Sequence, residues 1–213
     1  MATSRSSITC SSTDTERNNF LRLAQGILGP GTVIARDVLQ RYITPYLLSQ
    51  KVNYNLSIGY RLNKEQRNLV TNASSDGYRK FDITLIYYLL RNLVSDINDP
   101  SKPKFPNPTR GWGKSPQPLD HSISDDVERL RILRNHILSH ASSASLHDSI
   151  YQTAWQQLKD IANRMGRELR KDYDKKLEDL ESYTMTEAQW KDMFSKIQSI
   201  KGISKCFENE TNC

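Results

Sequence analysis

Apolar residues recur at helical spacing along most of the chain, and no segment alternates convincingly as a strand would. Gly29-Pro30-Gly31 should interrupt the helical pattern, and Pro45 should kink or end the second helix. The segment 81–96 is apolar on nearly all sides, so it is predicted to be the central buried helix. The predicted helices of this all-α fold are 14–28, 32–50, 62–72, 81–96, 124–140, 146–183 and 186–206.

The longest gap in the helical pattern is residues 98–122, where six prolines and Gly111-Trp112-Gly113 are incompatible with a helix interior. A loop this long in a compact domain is usually functional or flexible. Basic side chains alternate there with aromatic rings, a combination that attracts phosphates and stacks on bases. Alternatively, Trp112 fixes the loop to the core and the lysines are solvated. The predicted RNA-binding residues are Lys102, Lys104, Arg110, Trp112 and Lys114.

The distribution of charge suggests the domain boundaries. Residues 1–13 are rich in Ser and Thr and are predicted to be a flexible N-terminus. The pattern of 14–165 is that of one helical domain. After residue 165 the predicted 146–183 helix is rich in charged residues, as is typical of a solvent-exposed helix. Residues 166–213 are therefore predicted to be a C-terminal helical extension.

Composition narrows the class of protein further. Apolar residues make up 37% and charged residues 25%, which is too apolar for a disordered chain. The three cysteines suit neither a disulfide framework nor a zinc site. No apolar run reaches the roughly 18 residues of a membrane span, and a secretory leader pattern is missing, so a cytoplasmic protein is expected. A net charge of +6 favours anionic partners, although the basic residues are spread along the chain.

The residues that carry chemistry lie near the end of the 124–140 helix, which Ser124 is predicted to cap. Arg134 can hold a phosphate, His140 can exchange a proton near neutral pH, and Asn135 can orient either. A metal-independent ribonuclease needs such groups to activate the 2′-hydroxyl, stabilise the transition state and protonate the leaving oxygen. The predicted catalytic residues are Arg134, Asn135 and His140, with no metal and no cofactor.

The spacing of the motif limits how it could work. Arg134 and His140 are six residues apart, so on a regular helix they diverge by about 120° and about 9 Å. Arg134 and His140 of one chain therefore do not reach the same phosphate. In two chains related by a two-fold axis, Arg134 of one chain and His140 of the other could reach it. The sequence therefore predicts a composite site in a homodimer.

Several motifs in order carry a family resemblance: Phe81-Asp82-Ile83-Thr84-Leu85, Gly111-Trp112-Gly113, Asp125-Asp126-Val127-Glu128, and Arg134-Asn135 followed by His140. Over residues 17–165 they resemble the HEPN superfamily, in particular the subgroup of the DAZ-interacting zinc-finger ubiquitin ligase and its invertebrate relatives. The resemblance implies a HEPN-like helical bundle with a long Pro-rich loop and an extended C-terminal helical segment. It also implies dimers, RNA as ligand, and Arg134 and His140 as the catalytic pair.

Other functions stay open at this stage. His136 and His140 are four residues apart, a spacing that also suits zinc, but a third ligand is not evident. The two histidines could instead cap helix-terminal carbonyls or pack at an interface. A metal-independent endoribonuclease is the first hypothesis. The alternative is a non-catalytic RNA-binding, protein-interaction or oligomerisation module within a signalling or innate-immune protein.

Overall fold

The computed structural model describes residues 12–54, 59, 61–94, 103–182, 186, 188–189 and 191–198. These residues form helices and no strand, which confirms the all-α prediction, and nine of the α-helices have bounds that the structure defines. No helix in this part of the chain is both long and apolar enough to span a membrane. The helices are α1 (Ser12–Gly26), α2 (Thr32–Tyr42), α3 (Pro45–Tyr54), α4 (Lys64–Thr71), α5 (Ala73–Asp76), α6 (Ile83–Asn92), α7 (Ile123–His140), α8 (Asp148–Leu169) and α9 (Asp174–Ser182).

The chain does not leave the helical path at Gly29-Pro30-Gly31, so that prediction is wrong. A π-helical segment, Ile27–Gly31, joins α1 directly to α2. The wider π turn changes the hydrogen-bond pattern locally, which accommodates a proline without an N–H. The hydroxyl of Thr32 also donates to the carbonyl of Ile27 at 3.2 Å. Helices α1 and α2 thus form one continuous helical segment with a π turn in its middle.

Pro45 acts as predicted. Helix α2 ends at Tyr42, and Ile43 follows in an extended conformation. Pro45 is then the first residue of α3, where its missing N–H costs nothing. The short polar helix predicted over 62–72 is also present as α4, and its start is fixed by a capping box between Asn63 and Gln66.

The centre of the bundle is α7 rather than the predicted segment 81–96. Helix α7 packs against α1, α2, α6, α8 and the π-helical segment. Helix α6, within 81–96, is shorter than predicted and packs mainly on α2 and α7. Helix α7 carries the polar residues Asp125, Asp126 and Glu128, yet all three are buried.

The predicted helix 146–183 is two helices in the structure. Helix α8 ends at Leu169, and Arg170 takes a left-handed conformation with φ 56°. Helix α9 then folds back onto α1 and α8, where Tyr173 and Leu177 are buried. The hydroxyl of Tyr173 donates to Asp37 at 2.7 Å. The described residues after 165 therefore pack on the bundle, although the predicted domain boundary itself stays a prediction.

Candidate functional site

The predicted catalytic residues all lie on α7, and a capping box sets where this helix begins. The hydroxyl of Ser122 accepts from the backbone N–H of Asp125 at 3.1 Å, and the Asp125 carboxylate accepts from the N–H of Ser122 at 3.1 Å. The cap is thus Ser122 rather than the predicted Ser124. From there α7 runs without a break to His140, so the sequence placed the motif on the correct element.

Arg134 and Asn135 are joined by a side-chain hydrogen bond. The Arg134 Nη1 donates to the Asn135 Oδ1 at 2.9 Å. Arg134 is only 5% exposed, whereas Asn135 is half-buried. The amide therefore orients the guanidinium, as the sequence predicted for this pair, and burial holds the stem of the arginine in place.

His136 and His140 stack on each other one helical turn apart. Their ring centroids are 4.7 Å apart and the rings are inclined by 22°. Burial, followed by the charge of His140, lowers the pKa of His136 below its usual value of 6.5. The Nε2 of His136 is buried and makes no hydrogen bond within the described residues. At this end of α7 the hydroxyl of Ser139 donates to the carbonyl of His136, and Ser143 donates to that of His140.

An apolar groove lies beside this histidine pair, between the second half of α7 and the start of α8. Its volume is about 360 Å³, and its walls include Ile132, His136 and Thr153. Ile150, which is 38% exposed, forms part of its rim. The described residues hold no cluster of three or more histidine, cysteine or acidic side chains suited to a metal ion. The groove therefore offers this end of α7 an apolar surface next to the stacked histidine rings.

The two groups predicted to act on RNA lie on different faces of one helix. Because α7 is regular over this span, Arg134 and His140 keep the divergence of about 120° and about 9 Å that the spacing predicts. Arg134 faces inward and is buried, whereas His140 is half-buried. A single chain thus does not bring both groups to one phosphate.

The aromatic residues of the Pro-rich loop pack against the bundle. The ring of Trp112 contacts that of Tyr87 edge-on at 5.4 Å and that of Phe105 at 6.0 Å. Its Nε1 donates to the Oδ1 of Asn107 at 3.1 Å. Phe105 is buried and also contacts Tyr42 at 4.8 Å. Trp112 thus packs towards the core, which corresponds to the alternative interpretation of this residue.

The basic residues of the loop have different surroundings. Arg110 pairs with Asp120 at 3.0 Å, so its guanidinium is already engaged. Lys104 and Lys114 are exposed. Lys102 lies outside the described residues. Of the five predicted RNA-binding residues, the structure therefore presents Lys104 and Lys114 as exposed cations, and Arg110 as an exposed cation that is paired with Asp120.

No role in the loop was predicted from the sequence for the acidic residues that hold it in place. The Asp125 carboxylate accepts from the N–H of Thr109 at 2.8 Å and from its hydroxyl at 2.7 Å. The Glu128 carboxylate accepts from the N–H of Gly113 at 2.6 Å and from the Tyr87 hydroxyl at 2.7 Å. Three acids within four residues, next to a loop whose backbone N–H groups have no helix to pair them, are the signal that could have revealed this.

A third acid of the same turn joins α7 to α8. Asp126 accepts from the Nε of Arg164 at 2.9 Å and from its Nη2 at 2.7 Å, a two-point contact. Arg129 donates to the same carboxylate at 2.9 Å, and its other terminal nitrogen donates to the carbonyl of Gln117 in the loop at 2.6 Å. Loop, α7 and α8 are thus connected through buried charges.

These contacts change the proton affinities of their members. Burial, reinforced by the hydrogen bond to Glu128 and the charge of that carboxylate, raises the pKa of Tyr87 to about 12. Burial alone would raise the pKa of Asp125, but hydrogen bonds from Ser122 and Thr109 together outweigh it and lower that pKa. Asp125 therefore holds the loop as a carboxylate at neutral pH.

A cavity larger than the apolar groove lies away from the motif, between the start of α7 and the end of α8. Its volume is about 660 Å³, and both Arg164 and Glu168 line it. Arg164 is paired with Asp126, and Glu168 pairs with Arg41 at 3.1 Å. Because these charges already have partners, we place the candidate site at the end of α7 and not here.

Comparison with known proteins gives a family match and two similar proteins. The family model described as DZIP3/hRUL138-like HEPN matches residues 43–189. The E3 ubiquitin-protein ligase DZIP3 of Homo sapiens is 27% identical over 172 residues, which cover 74% of this chain and 13% of that protein. Its counterpart in Mus musculus is 26% identical over 163 residues, or 70% of this chain and 12% of that protein. The chain thus spans about an eighth of these relatives. No solved structure gives a significant match.

Proposed function

Because the chain belongs to the DZIP3/hRUL138-like HEPN family, we propose that it is a cytoplasmic endoribonuclease that cleaves RNA without a metal. The observation that carries the proposal is the motif on α7. Arg134, Asn135 and His140 occupy one unbroken helix, and the guanidinium of Arg134 is held by the amide of Asn135. A fixed cation and a histidine are the groups that such a cleavage requires.

The reaction follows from these groups. A base removes the proton of the ribose 2′-hydroxyl, whose oxygen forms a bond to phosphorus while the bond to the 5′-oxygen breaks. Arg134 stabilises the negative charge that develops on the phosphate, and the departing 5′-oxygen takes up a proton. The products are a 2′,3′-cyclic phosphate and a 5′-hydroxyl. His140 is the group assigned to proton transfer.

The active site is proposed to be shared between two copies of the chain. The divergence of Arg134 and His140 on α7 keeps them apart within one copy. An isologous contact through α7 would place Arg134 of one copy near His140 of the other. The apolar groove beside His136 lies on the same half of α7, so it would lie close to such a contact.

A second candidate is a non-catalytic oligomerisation or interaction module. The observation in its favour is the burial of Arg134, which is only 5% exposed. A guanidinium in that position can stabilise the bundle without touching RNA. In this case α7 would still form an interface, and RNA would not be cleaved.

The deciding experiment compares His140→Ala with His121→Ala, an exposed histidine in the loop that serves as the matched control. Purified proteins are incubated with single-stranded and structured RNA in EDTA, and product ends are identified. We expect cyclic phosphate ends from the unchanged protein and from His121→Ala. For His140→Ala we expect a loss of about 10²-fold or more, the usual contribution of a proton-transfer group.

Each other result assigns the protein to a different class. Salt-sensitive RNA binding without product would indicate a binding module, and neither binding nor product would indicate an interaction module. Equal cleavage by both variants would exclude His140. Mixing inactive Arg134→Ala and His140→Ala chains tests the shared site, because a mixed dimer contains one intact pair. A fully active monomer would contradict the composite arrangement.

A further inference from the structure

Helices α3, α4 and α5 form a small unit at the edge of the bundle. They pack against one another, and none of them is a main partner of α7 or α8. We call residues 45–54 and 61–80 the basic lobe. Its attachment to the rest of the fold includes the Tyr78 hydroxyl, which donates to the carbonyl of Ile43 at 3.1 Å. The ring of Tyr78 also contacts Phe81 at 5.1 Å.

The positive charge of the chain is concentrated in this lobe. Six cations and two carboxylates leave it with a net charge of +4, out of +6 for the whole chain. The segment 159–182 has seven cations but also seven carboxylates, so its net charge is zero. All six cations of the lobe are exposed: Lys51, Arg61, Lys64, Arg67, Arg79 and Lys80.

Most of these cations have no acidic partner among the described residues. Lys80 lies 3.9 Å from a carboxylate oxygen of Asp76, and Arg79 donates to the backbone carbonyl of Asp76 at 3.1 Å. The other four form no ion pair within the described part of the chain. In the bundle, by contrast, Arg129 and Arg164 are fully engaged with Asp126.

Three of the cations recur at helical spacing around the start of α4. Arg61, Lys64 and Arg67 follow one another at intervals of three residues. Lys64 and Arg67 lie on α4 and share a face of it, since residues three apart on a helix are neighbours. The capping box of Asn63 with Gln66 fixes the first turn of this helix. The cations are therefore presented from a rigid element.

We propose that the basic lobe binds the sugar-phosphate backbone of single-stranded RNA and so holds the substrate of the motif on α7. The inference rests on RNA being the ligand, as in the proposed function. Exposed cations supply the attraction, and the 63% exposed ring of Tyr46 on α3 offers a surface for base stacking. No exposed Leu, Ile, Phe, Met or Trp occurs among the described residues of the lobe, so it lacks the apolar side chains of a membrane-inserting surface.

The test compares two triple variants that lose the same charge. Arg61→Gln, Lys64→Gln and Arg67→Gln remove three cations of the lobe. The control changes Arg167, Lys175 and Lys176, which are equally exposed but lie in the electrically neutral segment. Anisotropy of a labelled oligouridylate is followed across a salt titration with each full-length variant, and thermal unfolding checks the fold.

For the lobe variant we expect affinity at low salt to fall by tenfold or more. The slope of log Kd against log salt should decrease by about 2, since each lost contact with a single strand removes about 0.7. The control should change the slope by less than half as much. Equal losses in both variants would show that only overall charge matters, and would overturn the proposal.

Cleavage assays separate this inference from the proposed function. If the unchanged protein binds RNA through the lobe but does not cleave it, the inference holds and the proposed nuclease activity is rejected. Cleavage by the lobe variant at an unchanged KM rejects the inference and keeps the nuclease. The last measurement uses vesicles of anionic lipid. If the lobe variant loses binding to these vesicles but keeps its affinity for RNA, the inference is also overturned.

Discussion

Two glycines three residues apart should respond in opposite ways to the same substitution. Gly26 ends α1 where this helix crosses α8. A Cβ atom added there would lie 2.8 Å from Leu158 Cδ2 and 2.8 Å from Trp155 Cζ3. Gly29 lies in the π-helical segment, is exposed, and has nothing within 4 Å of an added Cβ. Gly26→Ala should therefore destabilise the fold relative to Gly29→Ala.

The magnitude follows from two opposing effects. Replacing a helical glycine with alanine contributes up to about 1 kcal/mol, since alanine loses less conformational entropy. Overpacking a filled core costs about 1–3 kcal/mol. Leu158 and Trp155 have little room to move, because both are buried and Trp155 Nε1 donates to Glu181 at 2.5 Å. We thus expect Gly29→Ala to be neutral or stabilising, and the two variants to differ by about 1–3 kcal/mol.

Urea and thermal unfolding followed by circular dichroism would measure this difference. For a chain of this size each kcal/mol corresponds to about 2–4 °C in Tm. The same stabilisation in both variants would refute the close approach of α1 and α8. Equal destabilisation in both would instead show that the π-helical segment does not tolerate a Cβ.

Three further predictions concern buried polar groups. Asp126→Ala should cost about 3–5 kcal/mol in urea unfolding, because it leaves the buried Arg129 without its carboxylate; a loss under 1 kcal/mol would contradict the pairing. Glu128→Gln should lower the pKa of Tyr87 from about 12 while burial keeps it above 10, as ultraviolet titration would show. The depressed pKa of His136 means that the unfolded chain binds this proton more readily, so stability falls as the pH drops below about 6.5. His136→Gln should reduce that acid dependence, and unchanged dependence would rule out His136 as its source.

Much of the fold could be predicted from local sequence signals. Period 3.6 hydrophobic patterns located most helices, and Pro45 marked a helix start because its missing N–H is tolerated only there. The serine-rich stretch after His140 correctly ended α7. The family motif was recognisable for the same reason, since its residues lie within a few turns of one helix.

Features that depend on contacts between residues distant in the sequence were not predicted correctly. The turn at Arg170 lets α9 fold back onto α1, which is distant in the sequence. Hydropathy counts a carboxylate as polar whatever it contacts, so it gave no sign that the acids at the start of α7 are buried. Asp126 is buried only because Arg164, 38 residues away in sequence, reaches it in the folded chain.

The sequence by itself determined the helical class and the placement of Arg134, Asn135 and His140 on one helix, because both depend on residues within a few turns of one another. It also determined the family, because the motifs that carry the resemblance are recognised by their order along the chain. Only the tertiary structure decided that α7 is the centre of the bundle and that the Pro-rich loop is bound to it through buried carboxylates. It also decided which cations are available to a ligand: those of the basic lobe are exposed, whereas Arg129 and Arg164 pair with Asp126. The physical reason is that burial and the field of a charge depend on distance in space, which the order of residues does not contain.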